Sequence, residues 1–124
     1  MPPFAAWVPD SAAAPSMGSY ELAWHWLMQN SGWHVVHGMQ PGANGVPVGH
    51  AWLVHGYASK GGWAIEPRTG RALPITQFLR HFTLTPQALF DQAQARMWHR
   101  RTGHHGPWEG QGRGYPRDNL TSMP

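Results

Sequence analysis

The chain contains no cysteine, and charged residues are scarce in it. The missing cysteine excludes disulfides, cysteine-ligated metal sites and a thiol nucleophile. No run reaches the roughly 18 apolar residues of a membrane span, so we expect no membrane partner. The N-terminus lacks the basic start of a secretory signal, and Pro9-Asp10 interrupts its apolar residues. These absences lead us to expect a cytoplasmic protein.

Tryptophan, glycine and proline are abundant by contrast. The 124 residues suffice for one domain, and eight tryptophans supply large apolar surfaces for its core. The formal charge is +3. Five of the nine basic residues lie in the last third of the chain: Arg96, Arg100, Arg101, Arg113 and Arg117. This gradient suits a polyanion, but no dense basic run or known motif accompanies it, so we do not expect nucleic acid to be a partner.

The apolar pattern predicts an α+β domain over residues 18–105. An extended N-terminal arm (1–17) precedes it, and a flexible Gly/Pro-rich tail (106–124) follows it. Residues 19–30 are predicted to form a helix with one apolar stripe. The stripe consists of Leu22, Ala23, Trp26 and Leu27. Ser19 is a candidate N-cap or first-turn residue on the same inward face.

Three strands are predicted after this helix, over residues 33–38, 48–57 and 63–66. A short turn separates the last two strands, so we expect them to form an antiparallel hairpin. Pro67 closes the third strand. The strands would then form a small antiparallel sheet on which the first helix packs.

Two further helices are predicted in the second half of the chain. The first covers residues 74–82 and buries Phe78, Leu79 and Phe82. The second covers residues 85–101, because Thr85-Pro86 combines an N-cap residue with a proline at the first helical position. Its predicted buried stripe is Leu89, Phe90, Ala93 and Met97. Gly103 is the expected terminator of this C-terminal helix.

Ser19, His50 and Glu66 form the candidate catalytic set. A nucleophile at a helix N-terminus benefits from the helix dipole and from backbone N–H groups that can hold an oxyanion. A histidine on a neighbouring strand can take its proton, and a carboxylate on the next strand can orient the imidazole. Each residue also has an ordinary structural interpretation: a helix cap, a strand histidine and a surface carboxylate at a strand end.

The motif Gly49-His50-Ala51-Trp52, followed by Gly62-Trp63-Ala64-Ile65-Glu66-Pro67, resembles the transglutaminase-like core. There a histidine-alanine-tryptophan strand precedes a tryptophan-bearing strand that ends in Asp-Pro. The helix start at Ser19-Tyr20-Glu21 is similar to the nucleophile helix of that family, where cysteine usually holds the place of Ser19. The resemblance covers residues 18–70. It implies Ser19, His50 and Glu66 as catalytic positions, with Tyr20, Trp52 and Trp63 expected to bind substrate.

A second resemblance extends over nearly the whole chain. Small uncharacterised bacteriophage and bacterial proteins are similar in their Asn-Cys-Tyr helix start, Gly-His-Ala-Trp strand, strand ending in Asp-Pro and Gly-His-Tyr-Gly-Pro-Trp-like tail. The corresponding tail here is Gly103-His104-His105-Gly106-Pro107-Trp108. This resemblance implies a papain-like thiol fold and identifies no substrate. From its residues, the tail motif is a helix stop with a docking aromatic, and Trp108 or His104 could cover the cleft.

Together these resemblances imply a thiol hydrolase or acyl transferase that acts on a protein or peptide, by hydrolysis or by glutamine deamidation. Glu66 replaces the usual aspartate and lengthens the arm, while Ser19 replaces cysteine. Because a hydroxyl has a far higher pKa than a thiol, we expect the chain as written to be inactive. Ser19 would be an inactivating substitution, a natural variant or the mark of a pseudoenzyme. The alternative function is a catalytically dead binding module, for example one encoded by a phage.

Nine histidines raise the question of a metal ion. The spacing of His50 and His55 places them on opposite sides of a regular strand, as does that of His34 and His37. No HExxH or comparable metal-binding spacing occurs. We therefore expect neither a metal nor another cofactor. The oligomeric state is left open by the sequence.

Overall fold

The computed structural model describes residues 18–108 and the backbone of residues 113 and 114. The predicted arm over residues 1–17 and most of the predicted tail therefore lie outside the described residues. Within the described part of the chain, no helix combines the length and the apolar character needed to cross a membrane.

Three α-helices and an antiparallel sheet make up the fold. In chain order the elements are α1 (Ser19–Met28), β1 (His34–Pro41), β2 (Pro47–His55), β3 (Trp63–Ile65), β4 (Ala72–Pro74), α2 (Ile75–Phe82), β5 (Thr85–Asp91), α3 (Gln92–Thr102) and β6 (Arg113–Gly114). The strand order across the sheet is β4-β3-β2-β1-β5-β6, and each neighbouring pair is antiparallel. The predicted α+β class, with an N-terminal helix on an antiparallel sheet, is confirmed.

Helix α1 forms where the apolar stripe predicts it. Its four stripe residues, Leu22, Ala23, Trp26 and Leu27, are all completely buried. Full burial of a leucine side chain contributes about 1.5–3 kcal/mol, so the stripe holds α1 against the sheet. The N-cap is Gly18, and Ser19 is the first residue of the helix.

Both faces of the sheet are covered by helices. Helices α1 and α3 cover one face, called here the α1 face. It buries Ala23, Trp26, Leu27, Val35, Ala51, Leu53, Ile65, Phe90 and Ala95. Helix α2 covers the other face, called the α2 face. It buries Val36, Trp52, Val54, Ala64, Ile75, Phe78 and Leu89. Alternate residues of β1 and β2 therefore enter two different cores.

The predicted helix over residues 85–101 is wrong in its first half. Residues Thr85–Asp91 form strand β5, which pairs with β1. The register shifts where Gly38 pairs with Pro86 and His37 pairs with Ala88, which leaves Gln87 as the extra residue of a bulge. A proline is tolerated at a bulge because no ladder N–H is required there. Pairing with β1 therefore outweighs the local helix-start signal.

The true start of α3 lies at Asp91. Its carboxylate accepts a hydrogen bond from the Gln94 backbone N–H (2.8 Å), and the Asp91 N–H donates to the Gln94 side chain (2.9 Å). This reciprocal capping box satisfies N–H groups that a helix leaves unpaired. Of the predicted buried stripe, Leu89 and Phe90 are buried but lie on β5, whereas Ala93 is exposed and α3 buries Ala95 instead.

The chain after α3 folds back onto the domain as far as Trp108. Gly103 ends the helix in the left-handed conformation (φ 78°), as predicted. Trp108 is 3% exposed, and its ring lies 5.1 Å from both His37 and Phe90. Its indole N–H donates to the His104 carbonyl oxygen (3.1 Å). Residues 103–108, called here the C-terminal segment, thus close one end of the core on the α1 face.

Candidate active site

The candidate site lies where β2 extends beyond the end of its neighbour β3. Strand β3 pairs with only the last three residues of β2. The earlier part of β2, which carries His50 and Ala51, therefore has space beside it at the edge facing β3. Glu66 follows directly after β3 and enters this space. Unequal strand lengths thus bring residues from two strands to one place.

His50 and Glu66 form a short, nearly buried contact. The Nε2 atom of His50 lies 2.7 Å from Oε2 of Glu66, and the two side chains are 10% and 9% exposed. With Glu66 ionised and His50 neutral, Nε2 donates this hydrogen bond and Nδ1 carries the lone pair. Nδ1 makes no hydrogen bond with any described residue. The predicted pairing of these two side chains is therefore present, and it engages one of the two imidazole nitrogens.

A tight turn fixes the Glu66 carboxylate. Its second oxygen, Oε1, accepts from the Arg68 backbone N–H (3.3 Å). On the main chain, Glu66 donates to the Arg71 carbonyl (2.9 Å) and accepts from the Gly70 N–H (2.8 Å). Both carboxylate oxygens are therefore held. This geometry accommodates the glutamate arm, which is one methylene longer than that of an aspartate.

Trp52 packs beside His50 in the buried core on the α2 face. The two side chains share one face of β2, with ring centroids 6.1 Å apart and planes inclined by 25°. Trp52 is completely buried, so it has no surface for a substrate in this structure. The prediction that Trp52 binds substrate is therefore corrected to a supporting role. Gly38 makes the arrangement possible, because a Cβ there would lie 2.7 Å from the Trp52 ring and would collide with the Thr85 carbonyl.

Ser19 lies at the same edge of β2. Its Oγ accepts a hydrogen bond from the Ala51 backbone N–H (3.2 Å). The Cα of one residue is about 2.4 Å from the next nitrogen, so Oγ lies within about 6 Å of the His50 Cα. No hydrogen bond joins Ser19 to His50 in the described structure. The structure thus forms the His50–Glu66 contact and places Ser19 against the backbone of Ala51, the residue that follows His50.

Tyr20 lies beside Ser19 and packs on the α1 face. A Cβ on Gly49 would collide with the Tyr20 hydroxyl, so glycine at this position lets the tyrosine lie across β2. The edge of the Tyr20 ring contacts His37, with centroids 4.9 Å apart. Tyr20 therefore lies between the start of α1 and strand β1, and its substrate-binding role stays a prediction.

His37 is a neighbour of the site that sequence reasoning missed. It pairs across the ladder with Ala51, whose N–H holds Ser19. Burial lowers the pKa of His37 to about 4, so its imidazole is neutral at pH 7. The strand pattern of residues 33–38 places His37 and His34 on opposite sides. The contacts of His37 with the C-terminal segment, however, depend on distant pairing that no local pattern contains.

Trp63, the third residue predicted to bind substrate, lies elsewhere on the sheet. It pairs with His55, at the opposite end of β2 from His50. Its half-buried ring packs against the α1-face core. Five positions of strand, at about 3.3 Å each, separate its ladder partner from His50. The structure therefore does not bring Trp63 to the candidate site.

A second group of polar side chains gathers on the outer surface of α1. Ligand atoms of Glu21, His25 and His105 all lie within 4.8 Å of one another. The ring of His99 lies 4.6 Å from that of His105. Burial and, secondarily, the nearby His99 lower the pKa of His105. The i, i+4 spacing of Glu21 and His25 on a helix could have indicated this pair from the sequence. His105 joins the pair only because the chain after α3 folds back onto the domain.

Comparisons with family models, with curated proteins and with solved structures find no match to this chain.

Proposed function

We propose that the edge of β2 is a hydrolase or acyl-transferase site of the papain or transglutaminase type, with residue 19 in the nucleophile position. His50 is its general base and acid, and Glu66 orients the imidazole. The nearly buried 2.7 Å contact between His50 and Glu66, next to an Ala51 N–H that donates to the Ser19 Oγ, carries the proposal. A buried imidazole fixed through Nε2 has its other nitrogen available for the proton of a nucleophile.

The chemistry follows from this arrangement. Residue 19 attacks a carbonyl carbon, and His50 Nδ1 takes the proton that residue 19 releases. The tetrahedral intermediate expels its amine or ammonia, which receives that proton from His50. Water or an acceptor amine then attacks the acyl group on residue 19 by the same steps in reverse. Peptide or isopeptide hydrolysis and glutamine deamidation are the reactions that use these steps.

The start of α1 supports an oxyanion. Gly18 at the N-cap provides no side-chain hydrogen bond to the peptide dipoles of the first helical turn. These dipoles favour negative charge at the helix N-terminus. A substrate carbonyl placed next to Ser19 would direct its oxygen to the N–H groups around Ser19 and Tyr20.

Serine in place of cysteine limits the reaction. The Ser19 hydroxyl has a much higher pKa than a thiol, and its Oγ accepts a hydrogen bond from Ala51 while making none to His50. The chain as it stands is therefore a poor catalyst on this account. A thiol at position 19, next to the His50–Glu66 pair, restores the nucleophile that the site is built to activate.

The same observation favours a second function, that of a binding module. A Ser19 hydroxyl held by the Ala51 N–H acts as a structural tie between α1 and β2. Val46 and Val48, four and two positions before His50 in the chain, are 62% and 41% exposed. These exposed apolar side chains suit contact with another molecule. In this alternative, the fold retains a cleft for an acyl group and lacks the chemistry.

Acylation of a Ser19→Cys variant distinguishes the two functions. The chain has no other cysteine, so mass spectrometry after treatment with p-nitrophenyl acetate reports this one thiol. We expect acylation at pH 7 about 100-fold faster than in Ser19→Cys/His50→Ala, which is the low end of a general-base contribution. Ser31→Cys, at an exposed position after α1, serves as the matched thiol control. Equal acylation rates in all three variants would contradict the catalytic proposal and leave the binding module as the function.

A further inference from the structure

The group of side chains on the outside of α1 has the composition of a metal site. Glu21 and His25 are one helical turn apart on α1, and His105 comes from the C-terminal segment. One ligand atom from each lies within 4.8 Å of the other two. Imidazole nitrogen and carboxylate oxygen are the ligands that Zn²⁺ takes in proteins that lack cysteine.

The geometry is close to what a tetrahedral ion requires. With metal–ligand bonds of about 2.0–2.2 Å, the ligand atoms of a tetrahedral site lie about 3.5 Å apart. The separation in the structure therefore has to close by little more than 1 Å. The side chains of Glu21 and His105 are 37% and 24% exposed and can make this adjustment by rotation about their χ angles.

Trp24 forms a rigid wall behind the histidines. Its ring centroid lies 5.2 Å from His25, 4.4 Å from His99 and 5.1 Å from His105. Its indole N–H donates to the Ala95 carbonyl of α3 (3.3 Å), which fixes the ring between two helices. Three imidazoles packed around one fixed ring have less rotational freedom to lose when they bind an ion.

We propose that Glu21, His25 and His105 form a binding site for a divalent transition metal of the Zn²⁺ class. The fourth position is filled by water or by His99, whose ring neighbours that of His105. Imidazole binds a metal ion through the lone pair of a ring nitrogen, and His25 and His105 each offer one such nitrogen.

Bound metal would tie the C-terminal segment to α1. Within this segment, a Cβ on Gly106 would lie 2.7 Å from the His37 ring and 3.1 Å from that of Tyr20. Gly106 thus packs directly against residues next to the candidate active site. A metal held by His105, one position earlier, fixes this packing and stabilises the native chain by mass action.

Calorimetric titration of the tag-free chain with Zn²⁺ tests the site. We expect one ion to bind per chain. His25→Ala and His105→Ala should each weaken Zn²⁺ binding by at least about tenfold. Loss of an outer-shell partner already weakens binding by about this factor, and these two residues are direct ligands. His81→Ala is the matched control, because His81 is exposed on α2, and it should leave the affinity unchanged. Far-UV circular dichroism establishes that each variant is folded.

Two results would overturn the proposal: wild-type chain without saturable Zn²⁺ binding, or equal affinities in wild type, His25→Ala and His105→Ala. If a variant fails to fold, the visible spectrum of the wild-type chain with Co²⁺ decides instead. An intense tetrahedral band supports the site. The weak spectrum of octahedral, hydrated Co²⁺ contradicts it.

Discussion

The Glu66 carboxylate makes two hydrogen bonds, one with each of its oxygens. One oxygen accepts from His50 at 2.7 Å and the other from the Arg68 N–H at 3.3 Å, both beyond the end of β3. The length of the arm therefore matters, since the turn fixes where the backbone of residue 66 lies. A shorter side chain at this position cannot keep both contacts without moving the turn.

Glu66→Asp is expected to lower the free energy of unfolding by about 1.5–3 kcal/mol, the range for a hydrogen bond to a charged group. Urea unfolding at pH 7 measures the difference. Glu21→Asp, measured with EDTA present, is the control for the loss of one methylene at a more exposed carboxylate. An equal effect at both positions would contradict a special role for the Glu66 arm.

The order of the three candidate residues could be predicted from the sequence, but their contacts could not. A helix start, a strand histidine and a strand-end carboxylate are local features, and strand pairing brings His50 to Glu66. The hydrogen bond between Ser19 and the Ala51 N–H depends on how α1 meets the edge of β2. This angle is set by packing of the whole stripe on the α1 face, which no short pattern encodes.

Among the elements, β5 and α3 show how tertiary pairing changes a local preference. Thr85-Pro86 is a good helix start in isolation, yet β5 occupies the edge of β1 and supplies Leu89 to one core and Phe90 to the other. A strand places neighbouring residues on opposite faces, about 180° apart, whereas neighbouring residues of a helix are only about 100° apart and cannot enter cores on opposite sides. Residues 85–91 therefore form a strand, because their apolar side chains enter cores on both faces of the sheet. Helix α3 begins from its N-cap, Asp91.

Asp91→Ala is expected to lower the free energy of unfolding by about 1 kcal/mol, because the capping box of α3 is lost. Thermal or urea unfolding measures the change. The matched control is Arg96→Ala, an exposed position within the same helix, which should change stability little. A neutral result for Asp91→Ala would show that water replaces the cap at no cost.

Across the whole molecule, His37 is the residue at which distant parts of the chain meet. It lies on β1 and contacts Tyr20 of α1, Phe90 of β5 and Trp108 of the C-terminal segment. Burial lowers its pKa from 6.5 to about 4, so the native state holds it neutral where the unfolded state protonates it. Above pH 6.5 both states are neutral, and stability is lost as the pH falls from about 6.5 to 4.

His37→Phe is expected to reduce the loss of stability between pH 7 and pH 4 by about 3 kcal/mol, since each pKa unit corresponds to about 1.4 kcal/mol. Phenylalanine keeps a ring against Tyr20 and Trp108 while removing the titration. Urea unfolding at the two pH values measures the difference. His81→Gln, an exposed histidine, should keep the wild-type pH dependence. Identical dependence in His37→Phe and wild type would mean that His37 does not carry the effect.

The most direct test of the candidate site is the alkylation rate of Ser19→Cys by iodoacetamide across pH, with and without His50→Ala. The pKa of an ordinary thiol is about 8.5, so rapid alkylation below about pH 7 requires a thiolate stabilised by its surroundings. We predict such rapid modification, and we predict that His50→Ala abolishes it. Slow modification with an ordinary thiol profile, unchanged by His50→Ala and equal to that of Ser31→Cys, would contradict the proposed catalytic arrangement.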